Sequence, residues 1–296
     1  MTQHLQTSAP DVSTADEDDW DIVIRPRGKV ATVNLRSVWA YRDLAFLFFK
    51  RDFITFYKQT ILGPIWYLIQ PVVTALTYFI VFGKIANIST NGLPPFLFYM
   101  SGIVMWTYFS TCLSNNAEVF SKNASLFGKV YFPRLVVPLS VVMSGLVTFV
   151  IQFALLTVVT VGFVLSGANV SLHWQVFAAV PLLVFYVAAL GMGVGLIVSA
   201  MTVRFRDLAY VTGFVIQLWM YATPVVYPFT QIPQKYQWFF HLNPMTAPVE
   251  SIRQVMFGTP GVGLSIWVAN LVVTVILLVA GVILFSRAES LAMDTV

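Results

Sequence analysis

The charged residues of this chain fall in clusters, and the long gaps between the clusters constrain the fold more than any other feature. Residues 59–83 carry no Asp, Glu, Lys or Arg, and neither do 85–117, 135–203, 208–234 and 254–286. A helix needs roughly 20 apolar residues, at about 1.5 Å each, to cross a bilayer. Four of these gaps hold one such helix apiece. The longest holds two, with the turn at Ser166-Gly167-Ala168-Asn169 and His173. Charged residues amount to only 10% and apolar ones to 58%. A soluble domain of 296 residues has no way to hide that much apolar surface, because a large skin of it always faces water. One cysteine, Cys112, excludes a disulfide scaffold. The net charge of +4 is spread too thinly for a nucleic-acid binder, and none is expected as a partner.

The reading is an all-α polytopic membrane protein with six helices at about 61–84, 94–116, 135–165, 175–201, 207–229 and 264–286. Runs such as Leu182-Leu183-Val184-Phe185-Tyr186-Val187 are apolar all round and lack the alternation of a barrel strand. Pro138 falls in the first turn of the third helix, where proline is tolerated. Pro224 and Pro228 break the fifth near its far end.

Lys and Arg beside the spans set the orientation. Fourteen of the seventeen lie on one side, before the first span, between the second and third, between the fourth and fifth, and after the sixth. Only Lys84, Lys235 and Arg253 lie on the other. Both termini are therefore expected in the cytoplasm. Residues 1–30 begin with an acidic, Ser- and Thr-containing stretch that reads as a disordered tail. Residues 36–58 combine charge with many Phe and read as an amphipathic helix lying at the lipid interface. Leu47 and Ile54 fall on its charged side, which marks that side as a contact for a partner.

Four segments now become specific. They are Arg51-Asp52-Phe53-Ile54-Thr55-Phe56-Tyr57-Lys58 with Leu62-Gly63-Pro64-Ile65-Trp66 and Gln70-Pro71; Lys129-Val130-Tyr131-Phe132-Pro133-Arg134-Leu135 with Pro138; Arg204-Phe205-Arg206-Asp207-Leu208; and Asn243-Pro244 with Val249-Glu250-Ser251-Ile252-Arg253. In that order they resemble the ABC-2-type permeases that export polysaccharides. The resemblance implies a homodimer served by two copies of a separate cytoplasmic ATPase, which binds the ATP and Mg. The substrate it implies is a lipid-linked glycan: O-antigen, teichoic acid, capsule or galactan. It also implies that the N-terminal helix and the loop between helices two and three touch the ATPase. The coupling candidates are Arg51, Lys58, Glu118, Phe120, Lys122, Phe127, Lys129, Arg134, Arg204, Arg206 and Asp207.

The remaining chemistry agrees with a subunit driven from outside. The chain lacks the Gly-x-x-x-x-Gly-Lys-Ser/Thr run of a phosphate-binding loop, its histidines are scattered, and no carboxylate lies deep in an expected span. No cofactor, metal or catalytic residue is expected in this chain. Within the loop 117–134, Phe120 and Phe127 are expected to insert into a cleft on the ATPase, with Glu118 and Lys122 paired on the outer face. Segment 230–260 reads as two short re-entrant helices around Asn243-Pro244, with Trp238, Glu250 and Arg253 at an outer gate. Sugar faces stack on rings, so Trp66, Tyr67, Tyr99, Trp106, Trp219 and Tyr221 are candidates for a glycan path. Rings at membrane interfaces serve lipid contact equally well. Export of a drug or small lipid by the same architecture, and a membrane-embedded glycan-processing enzyme, are the competing readings.

Overall fold

The computed structural model describes residues 35–58, 65–127, 130, 132–168, 170–205 and 207–293; the acidic segment 1–30 lies outside them. Among the described residues the structure is helical, without strands. Two helices, α1 (Leu35–Ala40) and α2 (Arg42–Lys58), precede the spans. Next come α3 (Trp66–Tyr78), α4 (Pro95–Ala117), the short α5 (Val119–Lys122) and α6 (Ala124–Phe127), then α7 (Val136–Leu165) and α8 (Val176–Thr202). They are followed by α9 (Leu208–Tyr221), α10 (Gln234–Leu242), α11 (Thr246–Phe257) and α12 (Leu264–Met293). Among the described residues five stretches are long and apolar enough to cross a membrane: Trp66–Ile85, α4, α7, α8 and Leu264–Ala288 of α12.

Local chemistry explains the boundaries. Pro95 opens α4 at the position where a missing N–H costs nothing. Residue Gly167, at φ 78°, ends α7: its N–H donates to the Val164 carbonyl and that of Ala168 to Phe163, the left-handed cap that a glycine permits. From Phe79 to Ile85 the helix begun by α3 widens into π geometry, with the Ala86 N–H reaching back to Val81. Nothing in the sequence pattern foretold that widening.

The fifth span departs from its expected length. Instead of reaching 229, α9 stops at Tyr221 after 14 residues, about 21 Å, because Pro224 disfavours helical geometry in the residue before it. The carbonyls freed at this broken end find side-chain donors. Tyr227 Oη donates to Tyr221 O at 2.8 Å, Asn243 Nδ2 to Ala222 O at 2.9 Å, and Arg253 to Pro224 O and Val225 O at 2.7 Å each. A helix end buried away from water is stable only on those terms.

Helix α4 forms the centre of the bundle, buried on nearly every side, whereas the stretch begun by α3 keeps most of its surface exposed. Close approach comes from the Gly191-Met192-Gly193-Val194-Gly195 run of α8. A Cβ at Gly191 would lie 2.7 Å from the Cβ of Cys112, and one at Gly195 2.7 Å from the Leu113 carbonyl, so this face presses onto α4. One at Gly193, on the opposite face, would lie 2.7 Å from Leu278 Cα of α12, and Gly281 of α12 meets the Gly193 carbonyl in return. Small residues at four-residue spacing let backbones touch where lipid offers no hydrophobic driving force.

Candidate functional site

Chemistry gathers in three places along the bundle. At the end holding the loop after α4, α2 packs along the start of α7. Ala45 and Phe48 are buried there, with the Phe48 ring 5.8 Å from Phe132. The other side of α2 stays open and carries Phe46, Leu47, Phe53 and Ile54 beside Lys50, with Trp39 of α1 exposed ahead of it. Arg51 bonds Asp52 at 2.8 Å and covers the Phe48 ring. The outer pair forms as the spacing requires: Lys122 Nζ lies 2.7 Å from Glu118 Oε2, both about half exposed.

Phe120 needs a correction. Rather than pointing to a partner, its ring is 8% exposed and stacks on Phe285 of α12 at 4.5 Å, with Phe127 edge-on at 5.9 Å. Phe127 in turn lies under the Arg134 guanidinium and against Phe132. Stacking on Phe285 takes the Phe120 ring out of water within the chain itself, while Phe127 stays partly exposed. Arg204 and Asp207 are exposed where α8 hands over to α9. Lys129 and Arg206 lie outside the described residues, and of Lys58 only the backbone is described.

The second place is a groove of about 560 Å³ between α3, α4 and α7, touched by Met220 of α9. Of the six path candidates the structure brings together Tyr67 and Trp106 on its walls. The rest of the polar lining was missed: Gln70 and Thr74 from α3, Thr107, Ser110, Thr111 and Asn115 from α4, and Ser144, Thr148 and Gln152 from α7. Their spacing of three or four residues on apolar helices was the available signal. None of the lining residues is an acid or a base. Tyr99 sits one turn beyond Ile103 of the lining and is fully buried, boxed in by Tyr78, Phe82 and Phe98 at ring distances of 5.5 to 6.5 Å. Trp219 is held elsewhere, edge-on to Phe109 at 5.0 Å with its Nε1–H on Asn243 Oδ1 at 2.9 Å. Trp66 and Tyr221 are exposed, and Tyr108 packs on Phe149, away from the groove.

The third place is α11. Glu250 and Arg253 pair at 3.1 Å, but they are almost wholly buried, so they form a clasp and not an open mouth. Besides the Pro224 and Val225 carbonyls, Arg253 reaches Phe98 O at 3.3 Å, and Glu250 Oε1 accepts the Phe229 N–H at 3.1 Å. The pair thereby ties α11, the broken end of α9 and α4 into one unit. Burial pushes the Glu250 carboxyl up, opposed by Arg253 and the Phe229 N–H; burial likewise lowers the Arg253 guanidinium, to about 10. Asn243 and Asn270 lock the adjoining turn. Asn243 Oδ1 accepts the Met245 N–H, while Asn270 bonds the Ala247 N–H and the His241 carbonyl. Trp238 is exposed, edge-on to Phe239, and is not a partner in the clasp.

These elements recur in known proteins. The ABC-2 type transporter family matches residues 44–257, from α2 through α11. The O-antigen export system permease protein RfbA of Klebsiella pneumoniae is 30% identical over 218 residues, 73% of this chain and 82% of that protein. The protein of the same name from Myxococcus xanthus is 29% identical over 225 residues, 75% of this chain and 84% of its own. The inner membrane transport permease YadH of Escherichia coli K12 is 25% identical over 252 residues, 82% and 91% respectively. With the family covering most of its length and the bundle intact from α2 to α11, this chain belongs to the ABC-2 type transporters.

Proposed function

We infer that this chain is the membrane subunit of an ATP-driven exporter that carries a lipid-linked polysaccharide out of the cytoplasm. One observation carries the reading: relatives named as O-antigen export permeases match three quarters of the chain, and the family match over residues 44–257 takes in the uncharged, hydroxyl-lined groove. A transporter of apolar drugs has no use for that many polar groups inside its spans, where each one costs free energy unless bonded. The working unit is a pair of these chains with two cytoplasmic ATPase subunits that bind ATP and Mg. The largely open flank of the stretch begun by α3 supports pairing with a second copy. The half-exposed Glu118–Lys122 pair, Arg204, Asp207 and the open side of α2 are the surface on which the ATPase docks.

The test is co-purification of the chain with the ATPase encoded beside it, followed by depletion of the chain in its host. Loss of a surface polysaccharide, with its lipid-linked precursor accumulating inside, is the expected result. Unchanged surface polysaccharide after depletion overturns the reading.

A further inference from the structure

We propose that the groove between α3, α4 and α7 is a sugar-binding site within each single subunit, taking uncharged, hydroxyl-rich rings of the polysaccharide. The proposal rests on the exporter reading and adds to it where the glycan is held. Hydroxyls of the lining meet a ligand as acceptors. Thr74 donates to Gln70 O at 2.9 Å, Ser110 to Thr107 O at 3.1 Å and Ser144 to Ser140 O at 3.0 Å. Each of the three has thus given its proton to its own helix and offers a ligand only oxygen lone pairs. Gln152 is 2% exposed, lines the groove, and its side-chain oxygen has no hydrogen-bond partner. A buried acceptor left in that state costs free energy until a donor arrives.

Sugars carry free O–H donors on most carbons outside the linkages, and their C–H faces suit the Trp106 ring. Hydroxyl-to-hydroxyl bonds are individually weak, so a glycan held by several of them can advance by one repeat without breaking any strong bond. An alkyl tail in the same space would leave the Gln152 oxygen without a donor. The volume, about 560 Å³, falls inside the ~300–1,000 Å³ range of small-molecule sites. Beyond it the rings of Tyr78, Phe82 and Tyr99 pack on one another along α4.

The test uses the full complex in its host. Gln152→Leu removes the unpaired acceptor while keeping the volume, so a purely structural role predicts equal or higher thermal stability and normal export. The sugar site predicts the same stability result but export reduced at least fivefold at equal complex yield. Thr111→Val should behave likewise, and Thr157→Val, on α7 but outside the groove, should export normally. Separately, a photo-crosslinking amino acid at Thr111 should capture the host's surface polysaccharide, detected by periodate staining, while one at lipid-exposed Val158 should not. Normal export by Gln152→Leu, or capture at Val158 but not at Thr111 in chains that still export, overturns the site. Depletion that leaves the surface polysaccharide unchanged overturns the exporter reading instead.

Discussion

The Arg253 guanidinium carbon lies 3.6 Å from the centre of the Phe98 ring, and its Nη2 group also donates to the Phe98 carbonyl at 3.3 Å. One residue of α4 therefore holds the cation through both its ring and its backbone. Glu250 and two loop carbonyls take up its other Nη contacts, and its Nε is left without a hydrogen-bond partner. A buried ion pair is poor evidence of stability by itself, but removing one partner strands the other. Arg253→Gln should destabilise the purified protein by about 3–5 kcal/mol, read as a lower melting temperature. The double variant Arg253→Gln/Glu250→Gln should recover part of the loss, as expected for directly coupled residues.

Glycine substitutions should separate tight contacts from open ones. A Cβ at Gly102 would meet Arg253 Nη2 at 2.7 Å, and one at Gly195 would meet Asn116 Cβ at 2.5 Å, whereas one at Gly213 of α9 meets nothing within 4 Å. Gly102→Ala and Gly195→Ala should each cost about 1–3 kcal/mol from overpacking. Gly213→Ala should gain up to about 1 kcal/mol from helix propensity. Thermal stability of the three variants in one detergent checks the ordering.

At the proposed ATPase surface, packing and contact should come apart. Phe120→Ala should destabilise the chain itself by about 3–5 kcal/mol, because it empties the space against Phe285. Lys122→Glu should leave stability within about 1 kcal/mol, since the pair is exposed. It should nevertheless abolish ATPase co-purification. The swap Glu118→Lys/Lys122→Glu rebuilds the internal pair with its sign reversed, and co-purification should stay abolished. Recovery in the swap would reduce the pair to a helix brace.

Orientation follows from the charge bias and can be read by labelling. In a Cys112→Ala background, which removes a buried thiol, cysteines at Ala168 and Gln234 should react with an impermeant reagent in intact cells, and one at exposed Ser121 should not. The reverse pattern overturns the topology.

Much of the bundle was legible before any coordinates. Helices expected at 94–116, 135–165 and 175–201 appear as Pro95–Ala117, Val136–Leu165 and Val176–Thr202. Charge, proline and glycine mark their ends, and all three act locally. What long-range contact decides was not legible. Phe120 reads as a free aromatic until Phe285, 165 positions later, is placed on it. Arg253 reads as a charge at a mouth because the carbonyls that bury it come from a helix broken at Pro224. The groove was half legible. Rings drew attention, yet rings serve packing, lipid and ligand alike. Gln70 with Thr74, and Ser144 with Thr148 and Gln152, recur at helical spacing inside apolar spans, and that pattern has fewer uses.

The glycine contacts of α8 also divide the molecule into what can move and what cannot. With the backbone of α4 pressed on one side and that of α12 on the other, α8 has no side-chain cushion along which either neighbour could slide. These three helices make a stator, pinned further at one end by the Arg253 clasp. In the exporter proposed above, the stroke driven by the partner ATPase then falls to the loosely embraced piece, the widened stretch begun by α3. That stretch meets α9 through the Tyr78 hydroxyl on the Met220 sulfur, a bond weak enough to be broken and remade.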